Sequence, residues 1–497
     1  MKRIFKFISL FLCLICISAS AYEPNQELGR IDEIVKSSMD SGKIPGLALV
    51  VIKDNKILLN KGYGFANLES KLPVTAETLF ELGSNTKAFT ALAILNLSEE
   101  KKLNLEAPIG KYLPWFSSYY NGEPAFITIK DLLYHLSGIP ASTLSSLQPS
   151  SKDTALLETV QNINAISLDT LPGTKFQYAT INYDILGLLI QELTGKPYEQ
   201  YLKETILKPL SLSNSLLNRE LAYKSPNMSV GYKIEFLKAR PYQAPTYRGN
   251  TPAGYLISNS KDIGKWLLNQ LSPKQFEKLI AISHSTNPTT QNAVQNSKYA
   301  AGWFNIQSDM GSVFSHPGNN PNFSSYIAFI PEKQLGVAVL SNVNSNYSMD
   351  IGIAVLHTLL GSHSVINGDP LLNLDFYSVI VIGLGLPLFF WLSYCIVKLA
   401  LSILNKERRI ASFLKLLMVI PSILFISLLG YLLYATPSAL GANWSFIRVW
   451  GPWSLITAVF LVFSILVLSI FYIQMLLLFP RSRKLKDLPM KQTRRTT

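Results

Sequence analysis

The hydrophobic and polar positions change period several times along this 497-residue chain. Apolar residues recur at helical spacing over Gln26–Ser41, predicting an amphipathic helix. GLALVVIKDNKILLNKGYG then sets two apolar-rich runs on either side of Asp54-Asn55, the pattern of a β-hairpin. Between about residues 84 and 270 the text is mostly helical pattern broken by Pro, Gly and Ser. SVFSHPGNNPNFSSYIAFIPEKQLGVAVLSNV reads as successive strands, and a last helix is expected around Met349–Leu360. Strands at both ends with a helical insert between them predict an α+β fold: an antiparallel sheet flanked by helices, beside a helical subdomain. A cleft between the two is the natural place for a site.

Beyond residue 373 the polar punctuation stops. Apolar stretches begin at Phe376, Ile410 and Trp450, each longer than the ~20 residues that cross a bilayer core, so three transmembrane helices are expected. NKERR, the first connection, carries Lys406, Arg408 and Arg409; TPSALGANWSFIR, the second, carries only Arg448. Lys398 and Lys415 are the ionised residues inside the spans, near ends where a lysine can snorkel. Nothing resembles a proton relay, so the region reads as an anchor rather than a transporter.

The N-terminus places Lys2, Arg3 and Lys6 before an apolar core that exits through Ala19-Ser20-Ala21. This is the layout of a secretory signal peptide over residues 1–21; retention as an anchor helix is the other reading, and the small-residue exit favours removal. The expected organisation is then an exported domain over 22–365, a linker over 366–375, three spans within 376–480 and a basic tail over 481–497. With the domain exported, both basic segments fall on the cytoplasmic side of the cell (inner) membrane, as the positive-inside rule asks.

Composition narrows the chemistry. Hydrophobic residues make up 48% of the chain and charged ones 15%, which suits a globular part joined to a membrane part. The net charge of +13 has a membrane-flanking cluster at Arg481, Arg483, Lys484, Lys486, Lys491, Arg494 and Arg495, so the expected partner is a lipid bilayer and not nucleic acid. Cys13 and Cys16 lie in the leader and Cys395 in an apolar run, which leaves the exported part without a thiol nucleophile or disulfide. The five histidines are scattered, with no zinc spacing; no metal and no cofactor is expected. Catalysis must use an oxygen nucleophile. The pattern assigns no oligomeric state.

ELGSNTKAFTALAILNL supplies a candidate. Ser84 and Lys87 stand three apart where a glycine gives way to an apolar helical run. Residues i and i+3 are neighbours on a helix, so the Lys87 amine can reach the Ser84 hydroxyl and take its proton, provided it is desolvated or set near another cation. The Ser84 amide, among the unpaired N–H groups of a helix start, can hold an oxyanion. The competing reading is a helix cap followed by a solvated lysine. S-x-x-K also occurs at Ser258–Lys261, where Ser258 or Ser260 reads as an N-cap, and at Ser412–Lys415, at a membrane edge.

Two more segments weigh on that choice: PGTKFQYATINYDILG and FSHPGNNPNFSSYIAFIP. Ser84-Asn85-Thr86-Lys87, Tyr178-Ala179-Thr180 and His316-Pro317-Gly318 resemble, in order, the S-x-x-K, Y-x-N and K-T-G or H-x-G motifs of the serine β-lactamase and penicillin-binding clan, especially its class C-like branch. The resemblance runs through TLFELGSNTKAFTALAILNLSEEKKLNLEAPIGKYLP, DLLYHLSGIP, NYDILGLLIQELTGKPYEQYL and KYAAGWF, covering nearly all of residues 25–360; the membrane region has no counterpart in it. It implies a β-lactamase/transpeptidase-like fold, with Ser84 acylated and Lys87 its proton partner. Tyr178 would act with Lys87 as general base and then protonate the leaving group. His316 would orient a substrate carboxylate or carbonyl, or tune Tyr178; the N–H groups of Ser84 and Asn319, beside Gly318, would form the oxyanion hole. His135 is expected to be structural.

Thr180 departs from the family's asparagine, which in class C enzymes helps bind the acylamide side chain of a β-lactam, and Asn182 is not expected to replace it in the cleft. Pro317 removes one strand N–H. The acylation apparatus is intact and the substrate is what these changes touch. The expected activity is a membrane-anchored serine hydrolase on D-amino-acid, peptidoglycan-type peptides or related amides; an esterase on the same scaffold and a non-catalytic membrane sensor or binding module are the alternatives.

Overall fold

β1 (Gly46–Lys53) and β2 (Lys56–Asn67) form the expected hairpin in the computed structural model, which describes residues 24–481 apart from 292, 294, 412–416, 418 and 440. The leader, the Ser412–Lys415 pair and nearly all of the basic tail lie outside the described residues. Asp54 and Asn55 both take left-handed backbone angles, φ 53° and 56°, which a two-residue turn needs to match the twist of its strands.

Six further strands complete one sheet: β3 (Leu72–Pro73), β4 (Ser297–Tyr299), β5 (Phe304–Ser308), β6 (Gly311–Asn320), β7 (Phe323–Ile330) and β8 (Leu335–Ser341). The spatial order is β4-β5-β6-β7-β8-β1-β2-β3, antiparallel throughout. The two ends of the globular domain meet where β8 pairs with β1, Leu49 opposite Val339. β1 shows no polar alternation because both faces are covered. Leu47, Leu49 and Val51 join Ile31 and Val35 of α1 (Pro24–Gly42) in one core, while Ala48, Val50 and Ile52 join another on the opposite side.

On that opposite side lie α2 (Thr86–Glu99), α3 (Ile181–Thr194) and α4 (Ser260–Leu271) of the helical part. Their core includes Phe89 stacked on Trp266, centroids 4.0 Å apart. Burying each such aromatic or aliphatic side chain contributes ~1.5–3 kcal/mol. α5 (Tyr347–Leu359) returns to pack with α1. The observed class is the expected one: a large antiparallel sheet flanked by helices, with a helical subdomain.

Asn259, rather than Ser258 or Ser260, caps α4; its side chain accepts from the Asp262 amide. Ser258 is instead drawn into a hydroxyl pair with Ser215, and Ser260 donates to Asn60, so tertiary partners removed both serines from the capping role.

Among the described residues, three C-terminal helices are long and apolar enough to cross a membrane: α6 (Pro370–Leu404), α7 (Val419–Ala439) and α9 (Trp453–Leu478). α6 begins inside the expected linker because Asp369 caps it, accepting from the Leu371 amide at 2.9 Å. The second connection is not a plain loop. Asn443 caps a short helix, α8 (Trp444–Trp450), between α7 and α9. At the far end of the bundle the first connection meets the end of α9, where Arg408 donates to the Phe479 carbonyl and the Arg409 amide to Pro480. The first and third helices are tied to the domain through Asp375, which accepts from the amides of Phe236 (2.9 Å) and Leu237 (2.6 Å) and from the Ser454 hydroxyl.

Candidate active site

Phe80-Glu81 pairs as a short strand with Ile257-Ser258, then the chain tightens into a single helical turn, Gly83–Asn85, that opens α2. Gly83 stands at φ +54°, and a Cβ there would lie 2.4 Å from the Asn319 amide nitrogen. Gly318 answers from β6: a Cβ on it would come within 2.0 Å of the Leu82 carbonyl oxygen. Two missing side chains thus let β6 run against the serine turn and bring the Asn319 backbone beside it. Asn85 donates to Ser325 (2.8 Å), Ser325 to the Leu82 carbonyl (2.6 Å) and Thr86 to the Gly83 carbonyl (2.7 Å), so the turn is pinned from both sides.

Between Leu79 and Leu95 only Ser84 is not buried. Its hydroxyl lies 2.9 Å from the Lys87 ammonium nitrogen, which also donates to the Ala253 carbonyl at 2.8 Å. Lys87 is 0% exposed, and burial pushes its pKa down to about 7 against the opposing pull of Asp184. Asp184, equally buried and bonded to the Asn250 amide group at 2.6 Å, is driven well above the carboxylate range by the same desolvation. Both groups therefore move toward their neutral forms. The Lys87 nitrogen sits 5.1 Å from the centroid of the Tyr178 ring. Burial raises the Tyr178 phenol, with the Ser84 hydroxyl working the other way. Near neutral pH the phenol is therefore intact and a substantial share of Lys87 is free amine. Burial of the lysine, which disfavours a cation beside the phenol, and burial of the phenol itself both work against a phenolate at Tyr178.

Ser84, Tyr178, Thr180 and the Asn319–Asn320 pair share one cleft of about 390 Å³. His316 is not on its wall. It is 1% exposed, its Nδ1 lies 2.7 Å from the Pro317 carbonyl, its Nε2 lies 3.2 Å from the Tyr299 hydroxyl, and burial pushes its pKa down to about 3. The ring lies 6.0 Å from that of Tyr178, so of its two expected roles the geometry leaves contact with the tyrosine's surroundings, not contact with a substrate carboxylate. Pro317 is accommodated because β5 stops opposite Ser315, leaving β6 with no partner strand on that side. Asn182 turns inward, as expected, onto Ser137 and His135.

His135 does more than end a helix. Its ring packs 4.2 Å from that of Tyr178, and its Nδ1 accepts the Ala179 amide, which sets both the ring and the backbone of the Tyr178 segment. Glu81 was also missed: fully buried, it accepts from Arg219 (2.7 Å) and from Asn320 (2.7 Å), fixing the end of β6. A charged residue inside the apolar text TLFELG was the available signal. Among the described residues no cluster of His, Cys, Asp and Glu is placed to hold a metal ion.

Comparison with known proteins agrees with this fold. The family model described as Beta-lactamase matches residues 31–359. "Protein flp" of Staphylococcus aureus (strain COL) is 33% identical over 464 residues, covering 90% of this chain and 91% of its own. That span exceeds what residues 31–359 supply, so the likeness continues into the C-terminal helices, which the clan resemblance alone did not reach. "Unguisins hydrolase ungD'" of Aspergillus campestris (strain IBT 28561) is 31% identical over 348 residues, 66% of this chain and 64% of its own. Among solved structures, the octameric penicillin-binding protein homologue from Pyrococcus abyssi superposes with a TM-score of 0.63 at 29% identity, over 71% of this chain and 81% of that one. The chain belongs to the beta-lactamase family.

Proposed function

We propose that the protein is a membrane-anchored serine hydrolase that works through an acyl-enzyme on Ser84. The observation that carries the reading is the 2.9 Å approach of a buried lysine, its pKa near 7, to a serine open to a cleft. The neutral Lys87 amine takes the hydroxyl proton as Ser84 Oγ bonds to the substrate carbonyl carbon. The resulting oxyanion lies within reach of the amides of Ser84 and Asn319. The leaving amine or alcohol departs with a proton supplied through the Tyr178 phenol, which the Lys87 ammonium replenishes. Water then adds to the ester, gives its proton to the same relay, and the carboxylic acid leaves as Ser84 regains its hydrogen.

Peptides ending in D-amino acids, of the peptidoglycan type, are the favoured substrates on the reading that the domain is exported and held at the cell membrane, which the leader-like N-terminus and the apolar helices support. The crowding of Arg408, Arg409 and Arg481 at the bundle end remote from the domain supports that orientation. An esterase is the second reading, supported by Thr180, a cleft-lining residue with a single hydroxyl at the sequence position where the family motif has asparagine. Labelling with fluorescent penicillin and with a fluorophosphonate tests the proposal. Ser84→Ala is expected to abolish labelling and Ser258→Ala to leave it intact. Labelling by fluorophosphonate alone favours the esterase; no label from either, on folded protein, favours a sensor and overturns the proposal.

A further inference from the structure

The cleft has a wall that the hydrolase domain does not supply. We infer that α8, the short helix between the second and third apolar helices, selects the substrate of the Ser84 site, and that it selects acyl donors or acceptors carrying a long apolar chain held at the bilayer surface. This rests on the hydrolase reading above.

Connectivity sets where α8 can be. It begins at Trp444, a few residues after α7 ends at Ala439, and α9 begins at Trp453, just past Trp450. If α7 and α9 cross a bilayer, tethers of four residues before it and two after it, at ~3.5 Å each, keep α8 at its surface. Trp444, Trp450 and Trp453 cluster in this short segment, the amphipathic side chains that favour the interface between hydrocarbon and water.

Two polar contacts hold the domain onto this segment, and a further joint fixes the starts of the neighbouring helices. The Asn443 side chain caps α8 through the Phe446 amide (2.7 Å) and at the same time donates to the Ser145 carbonyl (2.6 Å) on the cleft rim. Lys233, itself buried, donates to the Arg448 carbonyl at 3.2 Å. Asp375 ties the Phe236-Leu237 turn, both residues at positive φ, to the starts of α6 and α9. The placement of α8 is therefore built from several independent joints.

The cleft lining is of two chemical kinds: Ser84, Tyr178 and Asn319 are polar and reactive, whereas Leu144, Leu147, Phe446, Val449 and Trp450 are apolar. A reactive carbonyl attached to a hydrocarbon chain matches both, with the chain leaving along α8 toward the lipid. A purely water-soluble peptide would leave the α8 wall without a partner.

The test uses the full chain in phospholipid nanodiscs and two fluorophosphonates that differ only in an ethyl or a dodecyl group. Each forms a bond from Ser84 Oγ to phosphorus and expels fluoride, with the serine proton passing to Lys87. The second-order rate constant for Ser84 modification is expected to be at least tenfold higher for the dodecyl reagent. In Phe446→Ala/Trp450→Ala, and separately in Asn443→Ala, the dodecyl-to-ethyl ratio is expected to fall below threefold. Partition of the dodecyl reagent into lipid is the same for every variant, so it cannot produce that fall. A ratio near one in the unaltered protein, or a high ratio that neither variant lowers, overturns the inference while the Ser84 chemistry stands. No modification of Ser84 by either reagent removes the hydrolase reading and this inference with it.

Discussion

Lys87 offers the most direct test of how the site works, because its neighbours decide whether it is an acid or a base. A fall from the ordinary lysine value of 10.5 to about 7 corresponds to roughly 5 kcal/mol of disfavoured charge, at ~1.36 kcal/mol per pH unit. Burial is the leading cause, and the partial compensation comes from Asp184. The rate of Ser84 modification by a water-soluble fluorophosphonate, followed from pH 5 to 9, is expected to rise about tenfold per pH unit up to a break near 7 and then level off. At pH 5 it should lie about 100-fold below the plateau. Lys87→Arg keeps a cation that does not deprotonate, so the rising limb should vanish and the rate drop by ~10²–10⁴. The same shift has a consequence for stability. Between pH 7 and 10.5 the unfolded chain holds a proton on Lys87 that the folded chain has lost, so this residue makes stability increase with pH across that window. A rate that climbs steadily past pH 9 without a break near 7, or an arginine variant that keeps the parent's profile, would refute the assignment of Lys87 as base and return that role to Tyr178.

Tyr178→Phe should separate the two halves of the reaction: turnover of an amide substrate falls by ~10²–10³ while a p-nitrophenyl ester, whose leaving group needs no proton, loses less than about tenfold. Steady-state kinetics on the two substrates check this, and equal losses on both would remove Tyr178 from leaving-group protonation. Gly83→Ala places a methyl at φ +54° and 2.4 Å from the Asn319 amide, so Ser84 labelling should slow by at least tenfold and the melting temperature should drop. Glu81→Gln leaves the nearly buried Arg219 without its counter-charge and is expected to destabilise by ~3–5 kcal/mol, whereas the double change with Arg219→Leu recovers part of that loss in denaturant melts.

Local pattern carried far into the architecture. The Asp54-Asn55 turn, the flanking strands, the closing helix and the three long apolar helices were legible because each is governed by neighbours in the chain: turn residues that tolerate positive φ, apolar period and length. Ser84 and Lys87 were legible for the same reason, one helical turn being enough to bring them to 2.9 Å. Ser258, Asn259 and Ser260 show where local rules ended. Ser258 and Ser260 were the expected caps, but distant Ser215 and Asn60 claimed the two serines and left the role to Asn259.

The sequence by itself determined which residues could do chemistry and which segments could enter a bilayer, since side-chain type and short-range period settle both. Only the tertiary structure decided that Lys87 is wholly desolvated, that His316 lies behind Tyr178, and that α8 closes the cleft. Those outcomes depend on contacts between residues far apart in the chain, such as Gly318 against Leu82 and Asn443 against Ser145. Burial and electrostatic environment are properties of what surrounds a group, and for these groups the surroundings are assembled only by folding.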